Sequence, residues 1–400
     1  MPRPALASWL SQTNDVTQTF LAAGRIPGLI NLAGGLPDPS VWPVEALAEH
    51  ARSAVADHPG DSLAYSPIDG LPGLRDAIAQ RYSRGPLRLG RENVMVTTGG
   101  MQALDLVGKV LLDRGDAIAA QSPAYLGALD AWMPRGPAYR PMRLERNDVD
   151  IRGAMAGAKF SYTVPNFSNP SGRLVGEDQR RDLVAAAHDT GCWLVEDDPY
   201  GALYYDGPQL PRLLDLSAAA DPQDGPYAGP VIYLGTLSKE LAPGLRIGWV
   251  IAAPEMIVAL TTAKQGSDMF TSGICQRMAQ SALEEGLLEQ VLPQILALYS
   301  ARRDALCAAM AEHLGDLYDW EVPQGGMFVW AVAKDPRLDT DRLMKRGLDH
   351  GVCISPSSVF DPEGRDHRAT RLNFTLNPPE KLAEGVRRLA GATREELAAL

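Results

Sequence analysis

From Asn93 onward the chain alternates short apolar runs with longer segments that are apolar on one side only. Residues 94–98, 117–120, 160–164 and 192–195 are runs of strand length, whereas 101–112, 125–133 and 177–190 carry helical spacing. Strands alternating with helices predict a three-layer αβα domain built on a mostly parallel sheet. Two more apolar runs, 231–234 and 247–253, enclose the loop Gly235-Thr236-Leu237-Ser238-Lys239-Glu240-Leu241-Ala242-Pro243-Gly244-Leu245-Arg246. Ligands of open parallel sheets bind outside the carboxyl ends of the strands, so the strand-to-loop junctions are the places to look for chemistry.

Before Asn93 the pattern is mostly helical. Helices are predicted over 15–23, with Val16, Phe20 and Ala23 on one side, over 43–57, and over 71–82, with Leu74, Ile78 and Tyr82 in phase. Between the first two, Asn31-Leu32-Ala33-Gly34-Gly35-Leu36-Pro37 is a loop whose glycines admit a close backbone approach. Residues 206–230, rich in Pro, Asp and Gly, read as a surface excursion. A long helix is expected around 276–314. Beyond Trp320, strands at 327–332 and 370–376 mix with helices at 340–350 and 379–389, which gives a smaller α+β domain.

Composition narrows the possible functions. Four hundred residues, 45% hydrophobic and 22% charged, describe a globular chain with ample core. A net charge of −11 argues against a general nucleic-acid or anionic-membrane surface. Cys192, Cys275, Cys307 and Cys353 form no Cys-x-x-Cys pair, and the six histidines are dispersed, so no metal site is expected. No signal peptide or membrane-spanning run is evident, and the expected location is cytoplasmic.

Several junctions carry candidate chemistry, each with a bland counterpart. Lys239 lies on its loop between two hydroxyls, Thr236 and Ser238, with Arg246 seven residues on; alone it reads as a surface lysine in a turn. Gly99-Gly100-Met101 opens a helix, where free amides and the positive helix end suit a phosphate, although glycine there is often only geometry. Glu196-Asp197-Asp198-Pro199-Tyr200 ends an apolar strand, so a carboxylate there can pair with a cationic ligand or cap a turn. Asn169-Pro170-Ser171-Gly172 is turn chemistry that also holds the Asn169 amide in place. Arg371, in an alternating strand, faces solvent or, turned inward, needs a carboxylate.

In order and separation these segments resemble the class I/II aminotransferases, pyridoxal-phosphate enzymes of fold type I, and within them the 2-aminoadipate and kynurenine aminotransferase-like subgroup. The resemblance runs from the 32–37 loop to the Arg371 strand. It implies that Lys239 condenses with the aldehyde of pyridoxal 5'-phosphate and later shuttles the substrate's Cα proton. It assigns Asp197 to the pyridine nitrogen, Tyr200 and Asn169 to the ring's phenolic oxygen, and Tyr125 to the ring face. Gly99, Gly100, Met101, Thr236, Ser238 and Arg246 would surround the phosphate, with Tyr65 reaching it from the other subunit of a homodimer. Arg371 would grip the substrate α-carboxylate beside Gly35.

The resemblance further implies an N-terminal segment (1–45) covering the site, a large cofactor-binding domain (46–290) and a small domain (291–400). Transamination between an L-amino acid and a 2-oxo acid, with 2-oxoglutarate the expected acceptor, is the implied reaction. The donor is 2-aminoadipate-, aromatic- or aliphatic-type; Gln18 stands where relatives that use acidic donors place a basic residue, which weighs against an acidic donor because a buried carboxylate without a cation is costly. Another pyridoxal-phosphate reaction such as β-elimination is the alternative. A non-catalytic regulator with this fold is a remote one.

Overall fold

The computed structural model describes residues 4–400 apart from 13–15, 17–18, 20–21, 23–25 and 147. Most of the helix predicted over 15–23, including Gln18 and Phe20, therefore lies outside the described residues. Seven strands form the principal sheet: β1 (Val94–Thr97), β2 (Ala117–Gln121), β3 (Ala138–Met142), β4 (Phe160–Thr163), β5 (Trp193–Asp197), β6 (Val231–Thr236) and β7 (Gly248–Ile251). Their spatial order is β1-β7-β6-β5-β4-β2-β3. The pairs from β6 to β3 are parallel, and β7 runs antiparallel to both its neighbours.

Apart from the edge strand β3, these strands are apolar almost throughout because both faces of the sheet are covered, which is the condition for a central parallel sheet. Their two-residue alternation divides the core in two. Met95, Ile118, Phe160, Tyr162, Val195, Ile232 and Leu234 pack against α1 (Gly100–Leu111) and α2 (Leu126–Trp132) through Leu104, Val107 and Trp132. Val94, Ala119, Leu194, Tyr233 and Trp249 face the other way, toward Leu183, Val184 and Leu213. This is the three-layer α/β arrangement expected from the alternation.

A second, antiparallel sheet orders Ser355–Pro356, Ala369–Asn373, Phe328–Ala333 and Tyr318–Trp320. The helices Leu287–His313 and Pro379–Ala398 pack closely on each other beside it. Near the N-terminus, Ile30–Asn31 pairs in parallel with Val352–Cys353, which ties that end of the chain to its far end.

Three expectations are corrected. The long helix over 276–314 is two helices, Gly273–Glu284 and Leu287–His313, because Gly286 takes a left-handed φ of 68° between them. The excursion over 206–230 contains a helix, Leu213–Ala220, with Leu213 and Leu214 fully buried. Its first turn is held by carboxylates: Asp215 accepts from the Arg212 N–H, and Glu196 accepts from the N–H groups of Leu213 and Leu214. The C-terminal helix runs to Ala398, nine residues past the predicted end.

Candidate active site

The carboxyl ends of β1, β4, β5 and β6 open on one side of the sheet, and the loops that leave them surround a cavity of about 450 Å³. One end of that cavity is built for an anion. Gly99 takes φ 78° and ψ 171° to turn β1 into α1, and Arg246 lies so close that a Cβ on Gly99 would fall 2.3 Å from its Nη2. Among the described residues the Arg246 guanidinium donates only to backbone oxygens, those of Pro243 (3.2 Å) and Thr98 (3.5 Å). It has no carboxylate partner among the described residues, so a cation and a helix N-terminus point into the same space. Thr236 and Ser238 are bonded to each other beside it (2.9 Å).

At the middle of the cavity stands Lys239. Its Nζ donates to the Gly35 carbonyl at 2.8 Å. Burial, then the nearby Arg371 and Arg246 cations, push its pKa down to about 8, which favours the neutral amine a nucleophile requires. Gly35 itself has no room for a side chain, since a Cβ would lie 2.7 Å from the Phe328 ring.

Asp197, the last residue of β5, is buried and accepts a hydrogen bond from the Tyr162 hydroxyl at 2.8 Å. Burial raises its pKa to about 7, against the lowering effect of that hydrogen bond. A buried carboxylate in this condition gains most from a cationic partner. Its sequence neighbours Glu196 and Asp198 face the opposite side of β5. Glu196 caps the Leu213–Ala220 helix, and Asp198 accepts from Asn166 (2.8 Å) and Tyr233 (3.0 Å). Alternation along one strand thus gives three adjacent acids three different duties, and only Asp197 lines the cavity.

The far end holds Arg371. Its guanidinium is sandwiched between the rings of Phe328 (4.4 Å) and Phe360 (4.7 Å). It donates to Asn169 Oδ1, to the Ala33 carbonyl and to Ser355 Oγ (3.2 Å). Its Nε has no partner, and no carboxylate pairs with it among the described residues. Burial lowers its pKa only to about 10, so it stays charged near neutrality. Asn169 Nδ2 lies 3.5 Å from the Tyr200 hydroxyl, and Tyr125 borders the same space with its hydroxyl on Met101 Sδ (3.6 Å).

The structure therefore brings together Gly35, Gly100, Met101, Tyr125, Asn169, Asp197, Tyr200, Thr236, Ser238, Lys239, Arg246 and Arg371, with Gly99 immediately behind Arg246. Tyr65 is not in this chain's cavity: it is 85% exposed and meets Phe270 edge-on at 5.6 Å. Gln18 lies outside the described residues. Sequence reasoning missed Tyr162, Phe360 and Asp130. Tyr162 faces the same side as Asp197 because it pairs with Val195, two residues back on β5, a register visible only once the strands are aligned.

An unpaired cation at a helix start, a desolvated amine, a buried acid open to the cavity and an unpaired arginine fit a phosphorylated pyridine aldehyde with an amino acid beside it. Fold and site define a pyridoxal-phosphate enzyme of fold type I. The model of the aminotransferases of class I and II matches residues 27–389, and the chain belongs to that family. It is 37% identical over 380 residues to the aromatic-amino-acid aminotransferase 1 of Thermococcus litoralis, covering 92% of this chain and 89% of that one. To the 2-aminoadipate transaminase of Thermus thermophilus it is 36% identical, covering 93% and 92%.

The crystal structure of LysN, the α-aminoadipate aminotransferase of Thermus thermophilus, in complex with N-(5'-phosphopyridoxyl)-L-leucine, superposes with a TM-score of 0.86. It is 33% identical and covers 98% of this chain and 100% of that one. The protein is a pyridoxal-phosphate-dependent aminotransferase that moves an amino group between an amino acid and a 2-oxo acid. Among the described residues, no helix is long and apolar enough to cross a membrane.

Proposed function

We propose that the donors are L-amino acids with aromatic or aliphatic side chains. The observation that carries this reading is the wall of the cavity, which Leu36, Leu104, Leu126, Val164 and Phe360 line. The only cations on that wall among the described residues are Lys239, Arg246 and Arg371, and the anion end and the α-carboxylate occupy the last two. Asp130 also lines it, with no hydrogen-bond or ion-pair partner among the described residues and a pKa raised by burial. A donor with a second carboxylate would meet this acid and no cation.

In this reading the bound cofactor supplies the electron sink for the substrate's Cα, and the protein supplies orientation and proton transfer. Lys239 captures the cofactor and then carries the Cα proton on Nζ. Asp197 pairs with the ring nitrogen, Asn169 and Tyr200 steady the ring oxygen, and Tyr125 covers the ring. Gly99, Gly100, Met101, Thr236, Ser238 and Arg246 hold the phosphate, and Arg371 takes the substrate α-carboxylate with Gly35 close by. The exposure of Tyr65 supports its service in the site of a second copy, which makes the active form a homodimer. Four free thiols support a cytoplasmic location.

The test is a panel of donors against 2-oxoglutarate and against a 2-oxo acid with an uncharged side chain. Aromatic and branched donors should show the highest kcat/KM, and 2-oxo acid formation should depend on the acceptor, which β-elimination would not. A preference for 2-aminoadipate or glutamate would overturn the donor assignment.

A further inference from the structure

Asp197 does not stand alone beneath the cavity. Tyr162 sits on β4, and its side chain leaves the same face of the sheet as Asp197. The two groups meet in a buried hydrogen bond, with Tyr162 Oη donating to Asp197 Oδ2 at 2.8 Å. No other side chain bonds to this carboxylate among the described residues, which leaves Oδ1 free toward the cavity.

The phenol has little freedom to be elsewhere. Its ring meets Trp132 edge-on at 5.0 Å, and Phe160 meets the same indole at 5.0 Å. Trp132 is in turn fixed to α1: its Nε1 donates to the Leu104 carbonyl at 2.9 Å. Gly108 makes room for the indole, since a Cβ there would fall 2.4 Å from Trp132 Cδ1. The helix whose first turn bounds the anion end of the cavity thus also braces the tyrosine that holds the acid. Beside an acid and out of water, the Tyr162 phenol keeps its proton, so it acts only as a donor.

We propose that Tyr162 is a positioning residue for the cofactor: by donating to Asp197 Oδ2 it presents Oδ1 to the pyridine nitrogen and keeps the shared proton on that nitrogen. The logic is one of proton affinities. A carboxylate that accepts a strong hydrogen bond is a weaker base, so the proton between Asp197 and the ring stays with the ring. Without the phenol the same acid, still buried, becomes the better base and takes the proton, and the ring loses the positive charge that makes it an electron sink. Only the position of one proton changes. The proposal rests on the pairing of Asp197 with the ring nitrogen.

The experiment reconstitutes the apoprotein with ring-15N pyridoxal phosphate and reads two quantities: the 15N chemical shift of the bound ring and the cofactor dissociation constant. Tyr162→Phe should displace the resonance from the pyridinium toward the neutral position and weaken cofactor binding by about tenfold. Asp197→Asn should do the same or more; if it leaves the resonance unchanged, the pairing itself is wrong. If Asp197→Asn moves it and Tyr162→Phe does not, Tyr162 has no positioning role. Trp132→Phe keeps an aromatic ring against the phenol and leaves its hydroxyl in place, so both readouts should stay near their wild-type values. An equal displacement in that variant would assign the effect to packing and end the proposal. Should Tyr162→Phe not fold, 4-aminophenylalanine at 162 keeps the size of the ring with a weaker donor. It should move both readouts in the same direction by less, and unchanged values would overturn the proposal.

Discussion

A single methyl group added at Gly99 would sit 2.3 Å from Arg246 Nη2, on a backbone at φ 78° and ψ 171° that L side chains scarcely adopt. Two separate costs follow. The backbone strain, about 1–3 kcal/mol, is present with or without the cofactor and should appear as lost apoprotein stability. Displacement of the guanidinium removes a charge-assisted contact to phosphate worth about 1.5–3 kcal/mol, or a 10- to 150-fold weaker cofactor. Gly100 provides the control. It is the first residue of α1, its φ is not positive, and a Cβ there meets nothing within 4 Å. Gly100→Ala should leave apoprotein stability unchanged or raise it by less than ~1 kcal/mol. Titration of the two apoproteins with pyridoxal phosphate, followed by absorbance, and a thermal melt of each measure both costs. If the two neighbours behave alike, or if Gly99→Ala binds the cofactor at wild-type strength, the account of this turn is wrong.

Lys239→Ala should abolish turnover and the absorbance band of the covalently held cofactor; transamination at the wild-type rate would remove Lys239 from the chemistry. Arg371→Lys loses the planar fork and should lower kcat/KM by about 10- to 150-fold, mainly through KM, with the cofactor band unchanged. Loss of the band instead would place Arg371 on the cofactor. Cofactor capture by the apoprotein, measured by stopped-flow, should rise with pH and level off above about 8, where Lys239 loses its proton. A flat profile over roughly pH 6–9 would contradict a depressed amine. The same shift has a definite sign for folding. Between about 8 and 10.5 the unfolded chain holds a proton that the folded one does not, so the cost of burying Lys239 is full below 8 and fades as pH approaches 10.5.

The sheet was legible because a strand covered on both faces must be apolar along its whole length, and few other segments are. Strand ends, and with them Lys239, Asp197, Asn169 and Gly99, follow directly once the alternation is recognised. Polar edge strands such as Ala138–Met142 carry no such signal and were not foreseen. The Leu213–Ala220 helix was hidden because its first turn is satisfied by Glu196, a residue remote in sequence. Arg371 could be read as inward or outward from its strand, and only its packing between Phe328 and Phe360 decides. Nothing in the local sequence sets Tyr162 apart from a core aromatic, since the sequence does not say which face of the neighbouring strand carries the acid.

The contacts of Arg371 have a consequence for the order of events in the life of the chain. Its guanidinium is held by Asn169, 202 residues earlier, and by Ala33, 338 residues earlier. The anion cradle and Asp197 belong to a sheet completed at Ile251, well before Arg371 leaves the ribosome. Every residue assigned to the cofactor is therefore synthesised while Arg371 is still to come. Synthesis thus supplies the residues for pyridoxal phosphate first and the arginine for the amino acid near its end.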